Sequence, residues 1–122
     1  MTNSRAKGAR GEREFSRLCR DQGYSEVRRG QQFSGLEGED VVGLPGIHVE
    51  VKRVQALNIA NAMDQSQRDS REDQLSIVAH RKNNCPWMIT MPADEWFEIY
   101  REWEAGKYLN KLKEDYAKME LV

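Results

Sequence analysis

The amino-acid sequence predicts an α/β fold, a mixed central β-sheet flanked by helices, and three observations carry the prediction. Two stretches, 47–53 (IHVEVKR) and 74–80 (QLSIVAH), have the short, β-branched character of half-buried or buried strands. Between them lies a segment, 57–69, whose apolar residues recur at helical spacing. Further helical patterns stand at both ends of the chain, so helices and strands alternate along it.

Taken in order, residues 8–22 read as the first helix. Phe15, Leu18 and Cys19 stand three and four apart, Ala9 adds to the stripe, and Gly23 follows as a C-cap. Glu12 sits one turn before Phe15, at the edge of the stripe and close enough to turn inward. Residues 24–29 (YSEVRR) form a short first strand. The glycine-rich polar stretch 30–38 is too polar for core; it is a flexible connector or a functional loop whose Ser34 can donate to a phosphate. Val41 and Val42 end a second strand, and Gly43, Pro45 and Gly46 turn the chain back into the third, at 47–53. The helix at 57–69 presents Leu57, Ala60 and Met63 on its apolar side. Strands at 74–80 and 87–91 follow, joined by a turn from Arg81 to Pro86. Pro92 and Asp94 start a third helix carrying Trp96, Phe97, Ile99, Tyr100 and Trp103. Gly106 is expected to break it, and 107–119 to form an extra C-terminal helix with Tyr108, Leu109, Leu112, Tyr116 and Met119 at helical spacing. The element order is αβββαββα plus that helix.

A length of 122 residues suits a single domain, with its core at about 7–104 and a helical extension at about 107–122. No apolar run is long enough to span a bilayer, and the polar, basic N-terminus carries no secretory h-region, so a cytoplasmic protein is expected, with no membrane partner. Cys19 and Cys85 match no metal-ligand spacing and are expected to be reduced. The net charge of −1 argues against a protein that only coats nucleic acid. Its distribution is uneven: residues 1–30 hold eight basic and four acidic side chains, residues 94–122 five and eight. The N-terminal quarter can therefore face phosphates, or both ends are solvated helix faces.

The chemistry concentrates between Glu39 and Arg53. On a strand over 47–53, His48, Glu50 and Lys52 share one face, while Ile47, Val49 and Val51 pack on the other. The turn before it places Asp40 beside Glu50. Two carboxylates so placed can hold a hard divalent cation, and Lys52 then points at whatever the cation binds. In a chain with 32% charged residues, Glu-x-Lys alone also describes a solvated strand face.

With Glu12, Asp40, Glu50, Lys52 and Gln65 in that order, the chain resembles the PD-(D/E)XK nuclease superfamily, and within it the archaeal-type Holliday junction resolvases and their phage relatives. KGARGERE (Lys7 to Glu14) is similar to that family's N-terminal helix motif, with its acid at Glu12. Asp40 falls on the metal-binding aspartate, HVEVKR supplies Glu50 and Lys52, and Gln65 is the candidate glutamine of the following helix. Glu39 stands where the family name has proline. Glu37 and Glu39 compete with Asp40 as nearby acids, and Gln67 competes with Gln65. The resemblance implies a Mg²⁺-dependent endodeoxyribonuclease, Mn²⁺ substituting, with Asp40, Glu50, Glu12 and the Val51 carbonyl around the metal. Lys52 and Gln65 would complete the catalytic set. Arg10, Arg13, Arg28, Arg29, Arg53 and Ser34 would contact DNA. It also implies a homodimer, since two symmetric nicks need two sites. Trp87, Trp96 and Trp103 are candidates for its interface; Trp96 is favoured as core and Trp103 is left open.

Two other functions fit the same residues. One is a nuclease of the same fold acting on other DNA, of restriction, repair or flap type. The other is a non-catalytic DNA-binding or phage accessory protein. Zinc chemistry has little support, because His48 and His80 stand in no ligand spacing with cysteine, and His48 is expected to be an exposed strand residue.

Overall fold

The computed structural model describes residues 4–30 and 39–120, with side chains from residue 8 onward. It shows an α/β fold with elements in the order α1 (Ser4–Asp21), β1 (Arg28–Arg29), β2 (Val41–Val42), β3 (Ile47–Arg53), α2 (Ile59–Asp69), β4 (Leu75–Arg81), β5 (Met88–Thr90) and α3 (Ala93–Glu120). The chain divides into two compact units, residues 1–92 and 93–122.

In the first unit the five strands form one sheet in the order β1-β2-β3-β4-β5. β3 and β4 are parallel, with Ile47 beside Leu75 and Arg53 beside Arg81, and every other neighbouring pair is antiparallel. The parallel pair needs a crossover, which α2 supplies. β1 is shorter than the sequence suggests: only Arg28 and Arg29 pair with β2, because Arg20 Nη1 on α1 takes the Val27 carbonyl at 2.8 Å.

The two faces of β3 have different roles. Val49 and Val51 pack on one side with Phe15, Cys19, Val27, Val41, Ile77 and Ala79, and Leu18 and Trp87 close around this core. α1 lies against this face and ends where Gly23 N–H donates to the Arg20 carbonyl and Tyr24 N–H to the Cys19 carbonyl. That bond pair is a Schellman motif, the C-cap foreseen at Gly23. Trp87 lies 5.2 Å from Phe15, ring centre to ring centre, and belongs to this core. The turn between β2 and β3 uses Gly43 at φ 106° and Gly46 at φ 86°, conformations that other residues seldom adopt.

α2 covers the opposite face, but not with the residues expected. The helix begins at Ile59, after Asn58, whose Oδ1 accepts from Asn61 N–H at 3.1 Å. Its buried residues are Ala62 and Ser66, while Ala60 is exposed. Ser66 Oγ donates to the Ile77 carbonyl at 2.9 Å. A hydroxyl satisfied in this way takes the contact with β4 that periodicity assigns to carbon side chains.

The second unit is one helix of 28 residues. Gly106 does not break it: an internal glycine costs a helix only about 1 kcal/mol, too little to end it by itself. None of its residues is buried, and Trp96, expected in the core, is 46% exposed. Trp96, Tyr100, Trp103 and Lys107 instead form a ladder along the helix, with ring centres 5.3 and 5.5 Å apart and Lys107 Nζ 4.2 Å above Trp103. Among the described residues no helix is long and apolar enough to cross a membrane.

Gly11 sets the distance between α1 and β3, since a Cβ there would stand 2.6 Å from Arg53 Cβ, whereas one at Gly8 would meet nothing within 4 Å. Alanine at either site improves helix propensity. Gly8→Ala should therefore raise stability by about 0.5–1 kcal/mol, and Gly11→Ala should lower it by about 1–3 kcal/mol through overpacking. Urea denaturation of the two variants reads both signs.

Candidate metal and catalytic site

Pairing of β2 with β3 sets Val41 opposite Val49 and so brings Asp40 alongside Glu50. The Glu50 carboxylate therefore acts on the Asp40 carboxyl from across the strand pair. Asp40 Oδ2 also accepts from Val51 N–H at 2.8 Å, so a side chain extends the contact between the strands and is fixed by it. Burial, then the Glu50 carboxylate, push the Asp40 pKa up to about 7; Val51 N–H opposes the shift and Glu12 adds to it.

Glu50 is 2% exposed, and so is His48, two residues earlier on the same face. His48 Nε2 lies 3.0 Å from Glu50 Oε1. The histidine is therefore not the exposed strand residue that the sequence suggests; α2 covers this face of β3. Burial by itself would lower the His48 pKa, but the bond to Glu50 and the charges of Glu50, Glu39 and Asp69 outweigh it and raise the pKa. Among the described residues, His48, Glu50 and Asp69 are the one group of three whose ligand atoms all lie within 4.8 Å of one another, a set able to hold a metal ion.

Lys52, next on that face, donates from Nζ to Gln65 Oε1 at 3.4 Å. Gln67 is exposed. Glu12 sits at the edge of α1, near enough to Asp40 to act on its proton, and pairs with Arg29. Arg53 is held by Glu14 at 3.3 Å and by Asn83 Oδ1 at 3.0 Å. Arg10, Arg13 and Arg28 are exposed. Ser34 and Glu37 lie outside the described residues. Glu39 joins the group from the other side, with Oε1 3.7 Å from His48 Nδ1.

The structure thus brings Asp40, Glu50, Lys52 and Gln65 into one neighbourhood, with Glu12 in the electrostatic reach of Asp40. It buries His48, expected on the same face but exposed; it brings in Glu39, named as a competing acid; and it adds Asp69, which the sequence reading passed over. A signal for Asp69 was present: it follows Gln65 by four residues, one helical turn. The donors fit a divalent cation: Asp40 and Glu50 offer carboxyl oxygens on adjacent strands, and hard ions such as Mg²⁺ prefer oxygen.

The raised Asp40 pKa has a sign in stability. A carboxyl that holds its proton more tightly when folded stabilises the metal-free protein below about pH 4, and that contribution is lost as pH rises to about 7. Asn at this position carries no charge and can still accept from Val51 N–H. In EDTA at about pH 8, Asp40→Asn should be more stable than the parent by roughly 1–3 kcal/mol, with the difference vanishing near pH 4. Denaturant titrations across that range measure it. Comparison of the chain with protein-family models, with curated proteins and with solved structures gives no match.

Proposed function

We propose that the protein is a metal-dependent endonuclease that hydrolyses DNA phosphodiester bonds, acting as a homodimer on branched DNA in the manner of a Holliday junction resolvase. One observation carries the reading: Asp40 and Glu50 stand opposite one another across the β2–β3 pairing, close enough for Glu50 to raise the Asp40 pKa, and Lys52, two residues on, is held by Gln65 on the covering helix. A strand face that buries a carboxylate pair and ends in a tethered lysine suits phosphoryl chemistry better than it suits packing.

A Mg²⁺ ion bound there would lower the pKa of a coordinated water and offset charge on the phosphate. Asp40 and Glu50 would be its ligands, with the Val51 carbonyl and Glu12 as further donors. Arg29 neutralises Glu12 in the absence of other partners. Lys52 Nζ carries the positive charge on this strand face, where it stabilises the additional negative charge on phosphorus as the water oxygen bonds and one P–O bond breaks. Gln65 orients that ammonium. Arg10, Arg13 and Arg28, exposed on α1 and β1, meet backbone phosphates, which position DNA without reading its sequence.

Cleavage of a labelled four-way junction and of a matched linear duplex tests the reading, using the parent protein, Lys52→Ala and Glu50→Gln, in Mg²⁺ and in EDTA. Paired symmetric nicks on the junction alone are expected. They should be lost in EDTA and reduced at least about 100-fold by either substitution, with circular dichroism unchanged. Cutting of both substrates would keep the nuclease and discard the preference for junctions. A folded parent protein that binds DNA but cuts nothing with Mg²⁺ or Mn²⁺ would be a binding module instead.

A further inference from the structure

Glu50 has acidic company on two sides. Towards β2 it meets Asp40; towards α2 it meets Asp69, and His48 flanks it on its own strand. Among the described residues, no lysine or arginine forms an ion pair with Glu39, Glu50 or Asp69. The one ring between them, His48, is buried with its two nitrogens in different surroundings. Nε2 faces Glu50 Oε1 at 3.0 Å, and Nδ1 lies 3.7 Å from Glu39 Oε1. Glu39 is in turn held by the side-chain amide of Gln74, whose Oε1 accepts from Arg71 N–H at 2.9 Å.

This is the arrangement of a metal-ligating histidine. Such a ring binds the ion through one nitrogen while a carboxylate beyond the other fixes its tautomer and orientation. The ligand atoms of His48, Glu50 and Asp69 lie within 4.8 Å of one another, a spread that one ion can draw together. Imidazole shifts the preference of a site away from Mg²⁺, which favours oxygen, towards Zn²⁺, Co²⁺ and their neighbours.

We propose that His48, Glu50 and Asp69 form a second metal centre, selective for an imidazole-binding transition ion, with Glu50 shared between it and the Asp40 side of the site. The assignment rests on the metal-dependent reading above for its first centre, but it concerns this chain's own ligands and can be read without DNA. The cation takes the place of the proton joining Nε2 to Oε1, which is released to solvent, and the ring keeps its Nδ1 proton, facing the Glu39 carboxylate at 3.7 Å.

Co²⁺ is the probe, titrated into the 122-residue protein in excess Mg²⁺ and followed by equilibrium dialysis and proton NMR. One Co²⁺ per chain is expected, together with a single strongly shifted, solvent-exchangeable N–H line from the His48 ring. The chain holds only one other histidine, His80, whose Nε2 contacts Thr90 Oγ1 at 2.8 Å, so the line has one simple assignment to test. His48→Gln should remove the line, and both His48→Gln and Asp69→Asn should weaken Co²⁺ binding at least about tenfold. Lys52→Ala should leave both unchanged. Asp69 is only partly buried, so Asp69→Asn keeps the test decisive if His48→Gln does not fold. Co²⁺ that Mg²⁺ fully displaces, or that Asp69→Asn binds as tightly with the line intact, would overturn the second centre while leaving the nuclease reading standing. Failure to bind either ion would overturn both.

Discussion

A carboxylate with 2% of its surface exposed, set in the middle strand of a five-stranded sheet, is the constraint around which this site is built. An isolated ionised carboxyl at such depth would cost many kcal/mol. Glu50 is tolerated because its neighbours supply what water would. The Asp40 carboxyl beside it on the β2 side holds its proton more tightly than a free carboxyl does, and His48 offers a ring nitrogen from the same strand. Each helper is anchored in turn, Asp40 by Val51 N–H and His48 by the charge of Glu39. Satisfying one buried acid thus recruits a polar network across β2, β3 and α2, on the face opposite the apolar core. Such a network is satisfied by protons only while they are in place, and its excess of carboxylates is what makes a cation the natural substitute.

Much of this was legible in the sequence because strand periodicity is rigid. Alternation along 47–53 separates Val49 and Val51 from His48, Glu50 and Lys52, and the turn at 43–46 determines that Asp40 meets Glu50. The bounds of β3 follow the predicted 47–53. The covering helix was less legible. Its buried positions are occupied by Ala62 and Ser66, a small residue and a hydroxyl that bonds to a strand carbonyl, and no hydrophobic count finds those. Because the face of α2 was misjudged, the residues it delivers were judged incompletely as well: Gln65 was found, Asp69 was not, and His48 was expected in solvent when α2 in fact covers it.

The C-terminal helix shows a different limit of periodicity. Trp96, Ile99, Tyr100 and Trp103 fall on one side of α3, and Leu109, Leu112, Tyr116 and Met119 on roughly the opposite side, counting about 100° per residue. The two stripes cancel when the helix is taken whole. They change sides near Gly106, which makes a break there an attractive reading, although the hydrogen-bonded backbone passes through unchanged. A change of apolar face is a statement about what each half can pack against, not about where the backbone stops.

The geometry of α2 against β3 explains why one strand face can serve two kinds of chemistry. A crossover helix returns antiparallel to the strands it connects, so later helix residues meet earlier strand residues: Gln65 meets Lys52, and Asp69 acts on His48. Four helical residues rise about 6 Å, whereas four strand residues span about 13 Å. The two strand side chains must therefore lean inward to reach partners one helical turn apart, and Glu50 lies midway between them. On one side of it the partners are a lysine and an amide, which hold a positive charge ready for an anion. On the other they are an imidazole and a carboxylate, which are donors for a cation. A single carboxylate between these two pairs has a cationic side chain on one side and possible cation ligands on the other, and its complete burial is tolerated because these groups stand in for water.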